Sequence, residues 1–180
     1  MEYPLANKWN VWEHRNDQEK YEDNLVFVTS FSDVPTFWNI FHHLPHPGDF
    51  FFGNRKPRCL IGNRSVVSYS IFKDGIIPKW EDPVANAGGE WRIRRFKNLD
   101  ELDRIWEDIT CLVVGNTLEN TDNILGVRVV DSSHPDTNKA MYNVEIWFDD
   151  MKHSEPIKNS IGENILELDV SKMYLRNHAT

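Results

Sequence analysis

Tyr69-Ser70-Ile71-Phe72-Lys73-Asp74-Gly75-Ile76-Ile77-Pro78-Lys79-Trp80-Glu81-Asp82, followed by Gly88-Gly89-Glu90-Trp91, is the stretch on which the reading of this chain turns. Tyr69 to Lys73 and Trp91 to Phe96 alternate as strands, and the segment between them carries Trp80 beside Glu81. A flat indole is a stacking face. The adjacent carboxylate can accept two parallel hydrogen bonds from the N1–H and N2–H₂ edge of guanine. A guanine methylated at N7 carries a positive charge, which adds a cation–π contribution to stacking and charge assistance to the carboxylate bonds. Taken alone a Trp-Glu pair is weak, because a Trp is more often a core or rim residue and a neighbouring Glu is usually just solvated.

The rest of the chain sets limits. A length of 180 residues fits one domain spanning 1–180, with an ordinary hydrophobic fraction of 40% and a heavy use of tryptophan, seven in all. The net charge of −8 argues against generic binding along a nucleic-acid backbone, so any nucleic acid must be gripped locally. Cys59 and Cys111, far apart and in no ligand spacing, suit reduced thiols. The start of the sequence has no basic and apolar leader and no run reaches a membrane-spanning length, so a soluble protein of the cytoplasm, with the nucleus as a second location, is expected.

Strand-like alternation at Lys8 to His14 and Leu25 to Phe31 brackets a polar loop that carries Tyr21. Ser32 is a candidate N-cap for a helix with Val34, Phe37, Trp38 and Phe41 at helical spacing, ended by Pro45. A second helix opens at Asn98 or Asp100 with the stripe Leu99, Leu102, Ile105, Trp106, Ile109, Leu112 and Val113. Ile124 to Val130 and Met141 to Phe148 read as a strand pair. A third helix is expected from Glu155 toward Ile165 and a closing strand over Ser171 to Arg176. Strands and helices mixed without a βαβ rhythm predict an α+β fold, an antiparallel sheet with about three helices on one face. Residues 45–68 read as a long loop insertion mixing Phe50, Phe51 and Phe52 with Arg55, Lys56, Arg58 and Arg64. That loop either tucks its Phe residues against the domain or touches nucleotides.

The stretch opening this section closely resembles the core signature of the eukaryotic translation initiation factor 4E family, the cap-binding proteins of translation. Further blocks agree in order and spacing: Tyr3-Pro4-Leu5 before Trp9 and Trp12, Val34 with Phe37-Trp38, Leu102-Asp103-Arg104-Ile105-Trp106, and Glu145-Ile146-Trp147. The resemblance covers nearly the whole chain. It implies a curved sheet with helices on the convex side and the 7-methylguanosine cap of mRNA in the concave side. It implies that Tyr21, where the family usually has Trp, and Trp80 sandwich the base while Glu81 reads its edge and Trp147 meets the N7-methyl group. The family's basic phosphate contacts are absent: Glu90, Ser132 and Asn143 stand there instead. Strand parity puts Arg92 and Arg94 on the face of Glu90 and Arg128 on the face of Ser132, so Arg92, Arg128 and the hairpin residue Lys139 are candidate replacements. Solvated or paired cations are the alternative for each.

The same resemblance implies a dorsal surface for a partner's helix bearing Tyr-x-x-x-x-Leu-hydrophobic, with Tyr3, Pro4, Val34, Trp38, Asp108 and Gly115 at matching positions. Glu107 stands where an apolar residue is expected and Cys111 where a larger one is, so partner choice should differ. An initiation scaffold of the 4G type or a 4E-binding protein is the implied partner, with the chain a monomer. No metal is expected, because Pro45 interrupts the helix that would align His42 with His46, with His43 and Cys59 nearby. No cofactor or catalytic residue is expected either: there is no Gly-x-x-x-x-Gly-Lys-Ser/Thr loop and no Gly-x-Ser-x-Gly elbow, and adjacent residues such as Glu81 and Asp82 rarely converge on one reacting atom. Three other readings remain open: a cap-binding repressor, a peptide or small-ligand module that has lost the cap, and, more distantly, an enzyme acting on caps.

Overall fold

The computed structural model describes residues 3–16, 20–50, 60–61, 64–133 and 140–179, apart from a few side chains at the edges of these segments. Its strands are β1 Pro4–Arg15, β2 Leu25–Asp33, β3 Leu60–Ile61, β4 Arg64–Lys73, β5 Gly89–Ile93, β6 Ile124–Asp131, β7 Tyr142–Phe148 and β8 Tyr174–Asn177. Its helices are α1 Val34–His43, the four-residue α2 Pro47–Phe50, α3 Leu99–Val114 and α4 Ser154–Asn164. The sheet runs β2-β1-β4-β6-β7-β5-β8, with β3 paired to β4, and every pairing is antiparallel. The expected α+β architecture is present.

Side chains alternate across these strands. One face points Trp9, Val11, Tyr69, Ile71, Val127, Val129, Val144 and Ile146 into the main core, where the helices lie. Helix α3 presents Leu102, Ile105, Trp106, Ile109 and Val113 to that core, the 3.6-residue spacing seen in sequence, and is capped by Asn98, whose side chain accepts from Glu101 N at 2.8 Å. Burying each such side chain contributes roughly 1.5–3 kcal/mol. Helix α4 docks through Trp91, whose indole N–H donates to Ser154 O at 2.7 Å while Lys158 Nζ lies 4.9 Å from its ring centroid. The opposite face is built from cross-strand rows. One is Asn10, Phe72, Gly126, Trp147, Glu90 and Arg176; the next is Trp12, Ser70, Arg128, Glu145, Arg92 and Tyr174.

Several boundaries differ from the sequence expectation. Asp33, not Ser32, caps α1, its carboxylate accepting from Thr36 N and Thr36 Oγ1, both at 2.8 Å. A carboxylate outcompetes a hydroxyl for these donors. The segment over residues 45–68 is not all loop: α2 forms within it and β4 extends back to Arg64, because Val66 to Ser68 still pair with Arg15 and His14 of β1. Phe51, Phe52, Arg55, Lys56, Arg58 and Cys59 lie outside the described residues. β5 begins at Gly89 rather than Trp91, since the backbone at Gly88 passes so close to β7 that a Cβ there would meet Phe148 O at 1.8 Å.

Candidate nucleotide-binding site

The loop between β4 and β5 is built around Asp82. Its buried carboxylate accepts from Ile77 N at 3.1 Å, Val84 N at 2.9 Å and Ala85 N at 3.4 Å, so one side chain holds both limbs of the loop. Asp74-Gly75 begins the turn, with Gly75 at φ +85°, a conformation a side chain would strain. Once Asp82 is pinned inward, its neighbour Glu81 points out and is exposed. Among the described residues the Glu81 carboxylate has no partner. Trp80 is 36% exposed, a high value for an indole. Glu81 and Asp82 therefore diverge, which disposes of their use as a paired general acid and base.

Lys79 Nζ reaches Glu22 Oε1 at 3.6 Å, tying this loop to the short 3-10 turn Tyr21–Asn24. That ion pair is exposed and weak as a source of stability. It nevertheless shows that the backbone turn carrying Tyr21 is a neighbour of the Trp80 loop; the Tyr21 side chain itself lies outside those described.

The side of Trp80 facing the sheet is furnished by β8. Arg176 Cζ lies 3.8 Å from the Trp80 ring centroid, a cation–π contact, and the His178 ring lies at 6.4 Å. His178 also packs on Trp147 at 4.5 Å and ties the β4–β5 loop to β5, one ring nitrogen 2.8 Å from Ala85 O and the other 2.8 Å from Glu90 Oε2. Trp147 is wholly buried in a small second core with Phe72, Ala85 and Leu125, its N–H donating to Glu145 Oε2 at 3.0 Å. It lies on the face expected for it, yet the surface beside Trp80 is that of Arg176 and His178. Neither residue was singled out by sequence reasoning. The one available signal was the pairing of a final strand with β5, which sets Arg176 opposite Glu90.

The phosphate candidates fare differently. Arg92 pairs with Glu90 through both of its guanidinium donor types and lies 3.5 Å from Glu145. Arg128 donates to Ser68 Oγ at 3.2 Å, meets His14 Nδ1 at 3.3 Å and approaches Glu145 at 3.9 Å. Both side chains are only 12% exposed. Parity placed both on the expected face, and the structure shows them beside Glu90 and Glu145, the paired arrangement that stood as the alternative for each. Lys139 lies outside the described residues.

Burial alone would raise both buried carboxylates. For Glu90 the His178 hydrogen bond and the Arg92 charge more than offset it and hold the group below the usual carboxylate range, whereas Glu145, also facing Glu90, stays above it. Burial, with the Arg128 charge, lowers His14 from 6.5 to about 4. The folded state therefore holds His14 neutral while the unfolded chain takes up a proton, so this contribution is intact above pH 6.5 and is lost as pH falls from 6.5 toward 4. Thermal melts of His14→Gln should accordingly fall less steeply than wild type across that window; parallel slopes would refute the assignment.

A family model described as eukaryotic initiation factor 4E matches residues 4–178. The chain belongs to the eukaryotic initiation factor 4E family. It is similar to eukaryotic translation initiation factor 4E1 of Drosophila melanogaster, 31% identical over 85% of this chain and 52% of that protein, and to factor 4E-1B of Danio rerio, 37% identical over 63% of this chain and 49% of that one. The chain spans about half the length of these curated relatives. In structure it resembles C. elegans eIF4E-3, solved with the 4E-binding protein Mextli and cap analog, at a TM-score of 0.79 and 24% identity, covering 99% of this chain and 94% of that one. Ascaris suum eIF4E-3 with m7G cap also matches at a TM-score of 0.79 and 24% identity, over 99% of this chain and 92% of that one.

On the helical side of this 4E-family chain, Tyr3 and Val34 are exposed and joined through Val34 N donating to Tyr3 O at 2.9 Å. Pro4 is exposed next to Tyr3, and Trp38 is half-buried, lying on His42 with ring centroids 5.2 Å apart. Phe37 turns inward to Phe31 and Phe41, so α1 does carry aromatics toward both sides. On α3, Glu107 is exposed, Asp108 and Cys111 are half-buried, and Arg104 pairs with Asp108 at 3.5 Å and Glu167 at 2.9 Å. Burial, aided by Glu107 and Asp108, pushes the Cys111 thiol up to about 11, so it stays protonated at neutral pH. Among the described residues no group of three or more His, Cys, Asp or Glu side chains could hold a metal ion. His42 lies on Trp38 and His43 Nδ1 lies 2.6 Å from Asn39 O.

Proposed function

We propose that this chain binds the 7-methylguanosine 5′ cap of mRNA without catalysis, Trp80 stacking on the methylated base and Glu81 accepting hydrogen bonds from its N1 and N2 edge. The observation that carries this is the exposed indole beside a carboxylate that has no partner among the described residues, on a loop pinned by Asp82. The Lys79 to Glu22 tie supports Tyr21 as the second stacking face. Arg176 already supplies a cation to one face of the Trp80 ring, so the base takes the other. Trp147 acts from beneath, holding His178 and Glu145 in place rather than offering an open surface of its own. The solved relatives with cap or cap analog are consistent with this use of the fold.

The exposed Tyr3 and Val34, with Trp38 beside them, form the surface proposed for a partner's amphipathic helix, and recruitment of an initiation scaffold is the output. Glu107 and the Arg104 ion pairs place charge on the adjacent α3 surface. That charge favours a partner other than one with the common motif and keeps translational repression as the second reading.

Intrinsic tryptophan fluorescence titrated with m7GTP and with GTP tests the cap assignment. Saturable quenching by m7GTP and a far weaker response to GTP are expected, since only the methylated ring is cationic. An equal response to both nucleotides would show that the slot does not recognise the methylated base.

A further inference from the structure

At the far end of β5, β7 and β8 from Trp80, a cavity of about 820 Å³ is lined by Arg94, Arg95, Lys97 and Lys172 together with Asn143 and Tyr174, and, among the described residues, by no carboxylate. In a chain with 20 basic and 28 acidic residues, four cations and no acid among the described residues lining one cavity is a departure from the average surface. Two of them are partly compensated from outside it: Lys97 Nζ lies 3.9 Å from Glu101 and Lys172 Nζ 2.9 Å from Asp169. Arg94 and Arg95 make no ion pair among the described residues. The Arg94 guanidinium sits 4.6 Å from the Tyr174 ring centroid, with its Nε buried and unsatisfied, and Tyr174 is 51% exposed. Asn143, buried nearby, leaves its side-chain oxygen without a donor.

The geometry points to this cavity as a site for the first nucleotides of the RNA that follows the cap, an inference resting on the cap reading above. Arg94 and Arg95 take phosphates, the exposed Tyr174 ring gives a base a stacking face, and the Asn143 oxygen accepts a hydrogen bond from a base or ribose. Asn143 and Tyr174 lie on the same sheet face as Trp147 and Glu90, and Arg94 continues it. Four residues of β5 or β7 separate the two ends, ~13 Å at ~3.3 Å per residue, a span for the cap's phosphate bridge and a nucleotide beyond it. Arg92 and Arg128, paired with Glu90 and Glu145, lie in the middle of that span, and charge without a partner among the described residues resumes at Arg94.

Fluorescence anisotropy of the full chain with m7GTP, an m7G-capped RNA pentamer and the same pentamer uncapped tests this. The capped pentamer is expected to bind about tenfold more tightly than m7GTP, from one added stacked base, with a log–log salt slope steeper by ~0.7 for each added phosphate. Arg94→Gln with Arg95→Asn should erase that gain and leave m7GTP affinity unchanged. Arg95→Asn alone, at a position of φ +66° that Asn tolerates, should remove about half of the added slope without touching the Arg94 to Tyr174 contact. Equal affinity of wild type for m7GTP and the capped pentamer overturns the proposal, as does a gain that survives in the double variant or a cavity that takes an acidic peptide in preference to RNA. If m7GTP itself fails to bind, the cap reading falls, and the uncapped pentamer decides this site: salt-sensitive binding lost in the double variant upholds it, and no binding ends it.

Discussion

Trp80→Ala lowers affinity for m7GTP by at least roughly thirtyfold if the stacking assignment is right, because it removes base stacking worth about 1–3 kcal/mol and a cation–π contribution of about 1–2 kcal/mol. The side chain is 36% exposed on a loop whose shape is set by Asp82, so the substitution leaves the fold intact and the loss belongs to the ligand. Isothermal calorimetry is the suitable measurement, since the variant lacks the reporting fluorophore. Trp80→Phe should keep part of the affinity. A Kd for Trp80→Ala within twofold of wild type would mean that the base stacks elsewhere, and Tyr21 alone would then have to account for binding. Glu81→Ala provides the companion result: loss of discrimination between guanine and other bases with stability unaltered.

Glu90→Ala is the substitution expected to cost most stability, about 3–5 kcal/mol in chemical denaturation. Glu90 is fully buried and is the common partner of Arg92 and His178, so its removal leaves a guanidinium and a buried imidazole without the carboxylate between them. The depressed Glu90 pKa carries the same information: its stabilisation is present above the ordinary carboxylate range and is lost as pH falls through the lowered folded value. Glu90→Gln should lie between the two, retaining shape and a hydrogen bond but not the charge. Restoring the basic residue typical of the family, Glu90→Arg, sets three guanidinium groups around Glu145 and is expected to be worse than Ala. A loss below about 1 kcal/mol for Glu90→Ala would show that water or relaxation replaces this carboxylate readily.

The Trp80 loop was legible because its message is local: Trp80 and Glu81 are adjacent, and exposure of one with burial of Asp82 follows from a turn a few residues long. The sheet was legible because strands such as β6 and β7 are long enough for alternation to show, and strand parity put Arg92 and Arg128 on the correct face. What parity could not supply was partners. Arg128 is neutralised partly by Glu145, with Arg92 completing the row, and that arrangement depends on register between three strands. Likewise β8 is only four residues long, too short for a pattern, and it delivers Arg176 and His178 to a site 88 residues away in sequence for the His178 to Glu90 bond. The Ser32 expectation failed on a smaller scale, where two neighbouring capping residues competed and the carboxylate prevailed.

The Asp82 staple, with Gly88 pressed against the neighbouring strand, means that the residues proposed to read the base stand on a mount whose shape owes nothing to their own side chains. On the proposed function, position 81 is a socket: exchanging its side chain should rewrite which purine edge is matched while the mount stays as it was. Ligand preference in this chain is thus open to recoding by single substitutions, with little ordering penalty to be recovered on association.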